Sequence, residues 1–460
     1  MSKLLSPRQA GRPGPEKAGI RMSISTKQLK DWIEDARART FAMVDDLDDH
    51  QMSVPYLPSV NPFLWELGHG IWFQEYWVLR HALGGTPLLE DPDHLFDSAH
   101  VGHEMRWHLK MPERAEVVRY GERVRDAVLE TLAEREPSPQ LRYFLLLSVF
   151  HEDMHQEAFC YMRQTLGYAP PSWLGPVQAG ADTEQAGAEA APTVGDAIIP
   201  GGRIDIGASR DEPFVFDNEK WAHPVDMEAF RIARSPVTQA QFLEFVEDRG
   251  YQRSELWSDR GWRWRQACGT ERPIYWRLHG DVWQRRVFDT WRDLEANVPV
   301  VHVNWYEADA WCRWAGRRLP SEPEWEVTAT AEVDGDALTG ARRQYPWGNS
   351  PEPGLERANL DGDGGGLWPV TSAAAGDTPA GCRQMLGNVW EWTASDFLPY
   401  PGFVVDPYEQ YSRPWFGCRK ALRGGSWMTR TRMLRPTWRN YFTPDRRDVF
   451  AGFRTCATEP

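Results

Sequence analysis

The chain has 460 residues, 41% apolar and 26% charged, with 24 tryptophans and a formal net charge of −14. That length exceeds one ordinary core, so two domains are expected. The acidic balance argues against a nucleic-acid partner, which needs a cationic face for phosphates, and no stretch is long and apolar enough for a membrane span.

Residues 1–24 carry lysines and arginines but no apolar core of a secretory signal, and read as a disordered tail with Met22 an alternative start. Residues 25–174 read as an all-helical bundle. Ser25-Thr26-Lys27-Gln28 has the form of a capping box and opens an amphipathic run to about Asp48. A second helix starts at Asn61-Pro62 and carries Trp65, His69, Trp72, Phe73 and Tyr76 on adjoining turns. A third runs from about Pro112 to Glu134. The fourth starts at Ser138, an N-cap before Pro139, and ends near Gly167. In such bundles, ligands project inward from facing helices.

The fourth helix holds His151-Glu152-Asp153-Met154-His155-Gln156-Glu157. Residues four apart share a helix face, so both imidazoles can point at one metal ion. Their stripe (Phe144, Ser148, His151, His155, Phe159, Met162) is largely apolar, and a buried ring without a polar partner is costly. A metal supplies that partner. The run also matches H-E-x-x-H, the helix of zinc hydrolases in which the glutamate activates a water. No Glu or His follows at the usual zincin spacing, and His69 on the second helix is the better third ligand. Glu157 follows His155 by two positions, about 200° around the helix, and is expected in a supporting contact rather than on the metal. Three imidazoles with open positions suit Zn, Fe, Cu or Ni, so the ligands alone do not name the metal. Taken alone, His69 also suits a core histidine bonded to a backbone carbonyl.

Residues 175–196, rich in Ala, Gly, Thr, Glu and Pro, read as a linker. From 197 to 460, short β-type runs alternate with turns, and only two helices are expected, at about 237–249 and 305–316. This half reads as an α+β domain with a high loop content and no internal repeats. Its cysteines and Cys160 (six in all) show no CxxC pairing, which fits neither a zinc ribbon nor a disulfide scaffold and points to a reducing cytoplasm.

The second half carries an ordered series of motifs: Pro299 to Ala308, Trp311-Cys312-Arg313-Trp314-Ala315-Gly316, Arg318 to Glu326, Tyr345-Pro346-Trp347-Gly348-Asn349, Gly387-Asn388-Val389-Trp390-Glu391-Trp392-Thr393, Leu422 to Trp427 and Ala451-Gly452-Phe453-Arg454. These resemble the formylglycine-generating-enzyme (sulfatase-modifying factor) domain, a variant of the C-type lectin fold, over about 197–457. Such motifs identify a scaffold rather than a chemistry, and the copper-binding cysteine pair of formylglycine generation has no counterpart here. A DinB-like four-helix bundle with His69 and an H-x-x-x-H-x-E helix, fused to this domain, resembles the ergothioneine, ovothiol and selenoneine synthase family.

The resemblance implies an oxidoreductase with Fe(II) on His69, His151 and His155 that uses O₂ to join sulfur or selenium to the imidazole carbon of hercynine. It implies Tyr400 as the acid that protonates reduced oxygen, and Asn440 and Tyr441 as hercynine contacts. Several departures bear on the second substrate. Phe442 stands where enzymes using γ-glutamylcysteine have an aspartate for the donor's ammonium. Of two arginines for donor carboxylates, Arg106 alone has a counterpart, and Met154 replaces a glutamine. These losses, and the ending Phe442 to Arg454 with Arg446, resemble the selenoneine synthases most and imply a selenosugar donor. The alternatives are an ergothioneine-type synthase forming a C–S bond from a thiol donor, a zinc hydrolase built on His151-Glu152, and a lectin-like binding protein with a vestigial metal site.

Overall fold

Four long helices build the first half of the computed structural model, which describes residues 24–176, 193–350 and 353–459. The expected tail up to residue 23 and the expected linker from 177 to 192 lie outside the described residues. Helix α1 (Thr26–Ala42) starts where Ser25 accepts the Gln28 N–H at 3.1 Å. Helix α2 (Phe63–Gln74) continues directly into a π-helical segment, Glu75–Ala82. Helix α3 spans Arg114–Glu134, and helix α4 spans Pro139–Leu166.

Helix α4 has the ends its sequence signals: the Ser138 hydroxyl accepts from Leu141 N–H, and Gly167 closes it at φ 70°. Glycine takes that left-handed conformation without the steric cost of a Cβ. Most side chains from Leu141 to Gln164 are buried, because α4 packs against α1, α2 and the π-helical segment on one side and bonds to the second half of the chain on the other. Arg37, fully buried on α1, ties the bundle together. It pairs with Glu152 of α4 at 2.8 and 3.2 Å, and donates to Gly121 O of α3 and Gln74 of α2. Breaking such a buried pair from one side costs about 3–5 kcal/mol.

The second half has the mixed helix and strand content of a C-type-lectin-like domain. One sheet orders Asp196–Ile199, Phe230–Ala233, Cys456–Ala457 and Arg317–Arg318. A sheet that bonds to the bundle through Trp390 contains β1 (Trp390–Asp396), β2 (Lys420–Arg423), β3 (Asn440–Phe442) and β4 (Ala451–Gly452), in the order β3-β2-β1-β4. Strand β3 is an edge strand, held in register by pairs such as Ala421 with Tyr441. The two expected helices occur as Gln239–Glu247 and Trp305–Trp314, and two more, Asp259–Cys268 and Glu322–Thr330, were not expected. Asp259–Cys268 buries only Gly261, so its sequence has no apolar stripe to read. Glu322–Thr330 hides its helical character behind buried acids. Glu322 is bonded by Arg423 and Arg439 from distant segments, and Glu326 by Arg342 and Arg423.

One apolar core runs through both halves, with a second cluster inside the lectin-like half. The halves also bond through α4. Asp153 takes two bonds from Arg432 at 2.6 and 2.7 Å, and Glu157 accepts from Trp390 and Thr429. Tyr143 donates to Asp406 at 2.8 Å. That last bond pins the long connection 397–419 against the bundle. Among the described residues all six cysteines are free, and no helix is long and apolar enough to cross a membrane.

Candidate metal centre

Helix α2 brings His69, and α4 brings His151 and His155, to one point between them. The candidate ligand atoms of the three all lie within 4.8 Å of one another, and the Nε2 atoms of His151 and His155 are 3.2 Å apart. His69 and His151 are each 3% exposed, which decides their protonation. Burial holds His69 down at about 3 and, with the neighbouring imidazoles, holds His151 well below the usual imidazole range. Both are neutral at pH 7, the form whose lone pair binds a metal.

The outer nitrogens fix the rings. His69 Nδ1 lies 2.8 Å from the Phe96 carbonyl, and His155 Nδ1 lies 2.5 Å from Glu66 Oε1. Burial works against the Glu66 carboxylate, but His155, with His69 and Arg106 behind it, outweighs that and holds its pKa at about 2. His151 stacks on Phe73 at 3.5 Å, and its Nδ1 is buried without a partner. Three imidazoles meeting at one point, two of them buried and neutral, with carbonyl or carboxylate behind two of the three, suit a resident first-row divalent metal.

Gly68 makes this arrangement possible. A Cβ there would meet Phe96 Cε1 at 2.0 Å, and Phe96 is the residue whose carbonyl holds His69. Gly68→Ala is expected to cost about 1–3 kcal/mol of stability by overpacking and to weaken metal binding by displacing that carbonyl. Denaturant unfolding and Co(II) titration measure the two effects.

His151 and His155 open onto a cavity of about 370 Å³ between the two halves. The bundle contributes Asn61, Glu66, Arg106 and Met154 to its wall; the lectin-like half contributes Trp390, Tyr408, Tyr411, Trp438 and the β3 residues Asn440, Tyr441 and Phe442. Arg446 also lines it but is already clamped by Asp448, with a second contact to Ser59 O at 3.4 Å. Arg106 donates to Asn61 at 2.6 Å and lies over Trp65 at 3.7 Å.

Tyr400 stands apart from the expectation for it. It does not line the cavity but lies buried in the lectin-like half, 4.1 Å from the Arg439 guanidinium and 4.6 Å from the His223 ring. The same connection then returns over α4 and presents Tyr408 and Tyr411 instead. Tyr408 has its ring 6.1 Å from that of His151, and the Tyr411 hydroxyl is 3.8 Å from the Met154 sulfur. Burial pushes both phenols above their ordinary range, so both stay protonated. Sequence reasoning missed this pair, as it missed the roles of Asn61 and Glu66; the Tyr-x-x-Tyr spacing in the loop was the one available signal. Glu152 is turned to Arg37 and away from the histidines, so it does not face a metal-bound water as the hydrolase reading requires.

A model of the sulfatase-modifying factor enzyme 1-like domain matches residues 182–459, and one of the DinB superfamily matches residues 33–158. The hercynine oxygenase of Mycobacterium tuberculosis is 39% identical over 94% of this chain and 98% of its own length. That of Mycolicibacterium smegmatis is 37% identical over 94% and 99%. The formylglycine-generating enzyme of Streptomyces coelicolor is 30% identical but covers only 58% of this chain, with 90% of its own. Fold and site together define a two-domain protein in which a sulfatase-modifying-factor domain covers a histidine centre on a DinB-type bundle. Its similarity to relatives over almost their whole length is decisive: the chain belongs to the hercynine oxygenase family, a family of oxidoreductases.

Proposed function

We propose that the chain is a non-haem Fe(II), O₂-dependent synthase that joins selenium from a selenosugar to the imidazole carbon of hercynine. The observation that carries this reading is the meeting of three imidazoles at the edge of a cavity whose facing wall is aromatic. Fe(II) held by His69, His151 and His155 would supply electron transfer to O₂ and the Lewis acidity that keeps the donor in its anionic form.

The remaining work falls to the chain's own side chains. Hercynine carries a trimethylammonium group, and the faces of Trp390, Tyr411, Trp438 and Tyr441 suit a quaternary cation. Asn440 offers its amide beside them. The donor meets a different wall. Its two carboxylates among the described residues, Glu66 and Glu157, are engaged by His155 and Asn61 and by Trp390 and Thr429. The ammonium of an amino-acid thiol therefore finds no partner beside Phe442, and leaving it unpaired is costly. A selenosugar carries hydroxyls and no charged group apart from its selenium, so its sugar ring needs only hydrogen bonds, which Arg106 and Arg446 can donate.

Tyr408 takes the role expected of Tyr400, giving its proton to oxygen as O₂ is reduced. Tyr408→Phe is expected to lower kcat by about 10²–10⁴-fold, the usual worth of a positioned acid, with metal binding unchanged. Tyr400→Phe should leave kcat near wild type. Oxygen uptake and product mass spectrometry read both.

The near full-length likeness to hercynine oxygenases favours one second reading, a C–S bond formed from a thiol donor whose carboxylates reach Arg106 and Arg446. Anaerobic loading with Fe(II) and hercynine, then O₂ with either a selenosugar or γ-glutamylcysteine, separates the two. A selenium adduct of the imidazole supports the proposal. A sulfur adduct alone overturns the donor, and no adduct from an iron-loaded protein overturns the reaction.

A further inference from the structure

The three imidazoles are held differently on their outer sides. His69 Nδ1 meets a neutral carbonyl, His151 Nδ1 meets nothing, and His155 Nδ1 meets the Glu66 carboxylate. The Glu66 contact continues outward. Glu66 Oε2 accepts from Asn61 Nδ2 at 2.7 Å, and Asn61 Oδ1 accepts from Arg106 Nη1 at 2.6 Å. Arg106 also lies on Trp65, whose indole stacks on His69 with ring centres 5.0 Å apart and planes 7° from parallel. One arginine thus reaches two of the three histidines, by a hydrogen-bonded route and by a stacked one.

We infer that Glu66 and Asn61 are positioning residues that fix His155 as a metal ligand and connect it to Arg106, so that the cation facing the second substrate sets how firmly the metal is held. The inference rests on reading the three histidines as a metal site. A carboxylate accepting from Nδ1–H fixes the tautomer with the Nε2 lone pair inward, orients the ring and makes it a stronger donor than a carbonyl would. Asn61 suits the middle position because its amide can accept from an arginine and donate to a carboxylate at once. Glu66 is 2% exposed, so little water competes for its oxygens. By linkage, a group that binds Arg106 and a metal that binds His155 alter each other's affinity by the same factor.

The test is Co(II) titration of the full chain, read by its d–d absorption, for wild type, Glu66→Gln, Asn61→Ala and Arg106→Ala. Thermal unfolding of each metal-free protein is run beside it. Glu66→Gln is expected to bind Co(II) about 10–100-fold more weakly, the usual effect of losing such an outer partner, with a changed d–d spectrum and an intact metal-free fold. Asn61→Ala and Arg106→Ala should weaken binding in the same direction by less. Wild-type affinity and spectrum in all three variants would overturn the inference and leave the metal site standing. If Glu66→Gln does not fold, the half-buried Asn61 carries the test alone, and an unchanged spectrum in Asn61→Ala is then decisive. Failure of the wild type to bind Co(II) would overturn the metal site and this inference together.

Discussion

His151→Ala is expected to abolish turnover while leaving a folded protein. The substitution removes one of three imidazoles that meet within 4.8 Å, and among the described residues no other donor stands in the same group. The loss of metal affinity should therefore exceed the about 10–100-fold that follows loss of an outer-shell partner. Metal-free stability should change far less than a large-to-small core substitution suggests. Removing the ring leaves a gap beside Phe73, but it also removes a buried Nδ1 that has no partner, and these effects oppose each other. A metal that binds only the folded state raises stability by mass action. Differential scanning calorimetry with and without Fe(II) should thus show a metal-dependent rise in Tm for the wild type and none for the variant. An undiminished rise would remove His151 from the metal site.

Phe442→Asp is expected to produce the second large effect, a reversal of donor preference. The change puts a carboxylate into a cavity wall whose existing acids are already engaged. The ammonium of an amino-acid thiol would then have a partner, whereas the neutral ring of a selenosugar would leave the new carboxylate desolvated and unpaired. Sites that discriminate by pairing or stranding a polar group reach large ratios, so the ratio of kcat/KM for γ-glutamylcysteine over the selenosugar should rise by at least about 10²-fold. Arg446, with its guanidinium 5.4 Å from the Phe442 ring, will draw the new carboxylate and loosen its own hold on Asp448. The double variant Phe442→Asp with Arg446→Gln should therefore show the larger reversal. Competition between the two donors, scored by product mass, is the measurement. An unchanged ratio in both variants would strip Phe442 of any part in donor choice.

The bundle was legible because its signals are local. Ser138, Pro139 and Gly167 mark the ends of α4 within a turn of where they lie, and the four-residue spacing puts His151 and His155 on one face. His69 needed one further step, the packing of α2 against α4. What could not be read depends on the path of the chain. Tyr400, Tyr408 and Tyr411 share a connection without periodicity, and its long-range attachments, Asp406 to Tyr143 and Lys220, and Ser412 to Asp217 and Asn218, determine which tyrosines reach the cavity. Glu66 lies one turn before His69, so spacing pairs it with that residue, yet its partner is His155 on another helix. Helix Glu322–Thr330 was missed because tertiary ion pairs outweigh the polar reading of its sequence.

The edge position of β3 has a consequence for inheritance. Asn440, Tyr441 and Phe442 occupy one short outer strand, whereas the three histidines belong to helices on the other side of the cavity. Under the proposed function, changes at Phe442 and Arg446 alone would alter donor choice, with the helices that gather the histidines left as they are. Lineages that share the bundle unchanged can diverge in what they make.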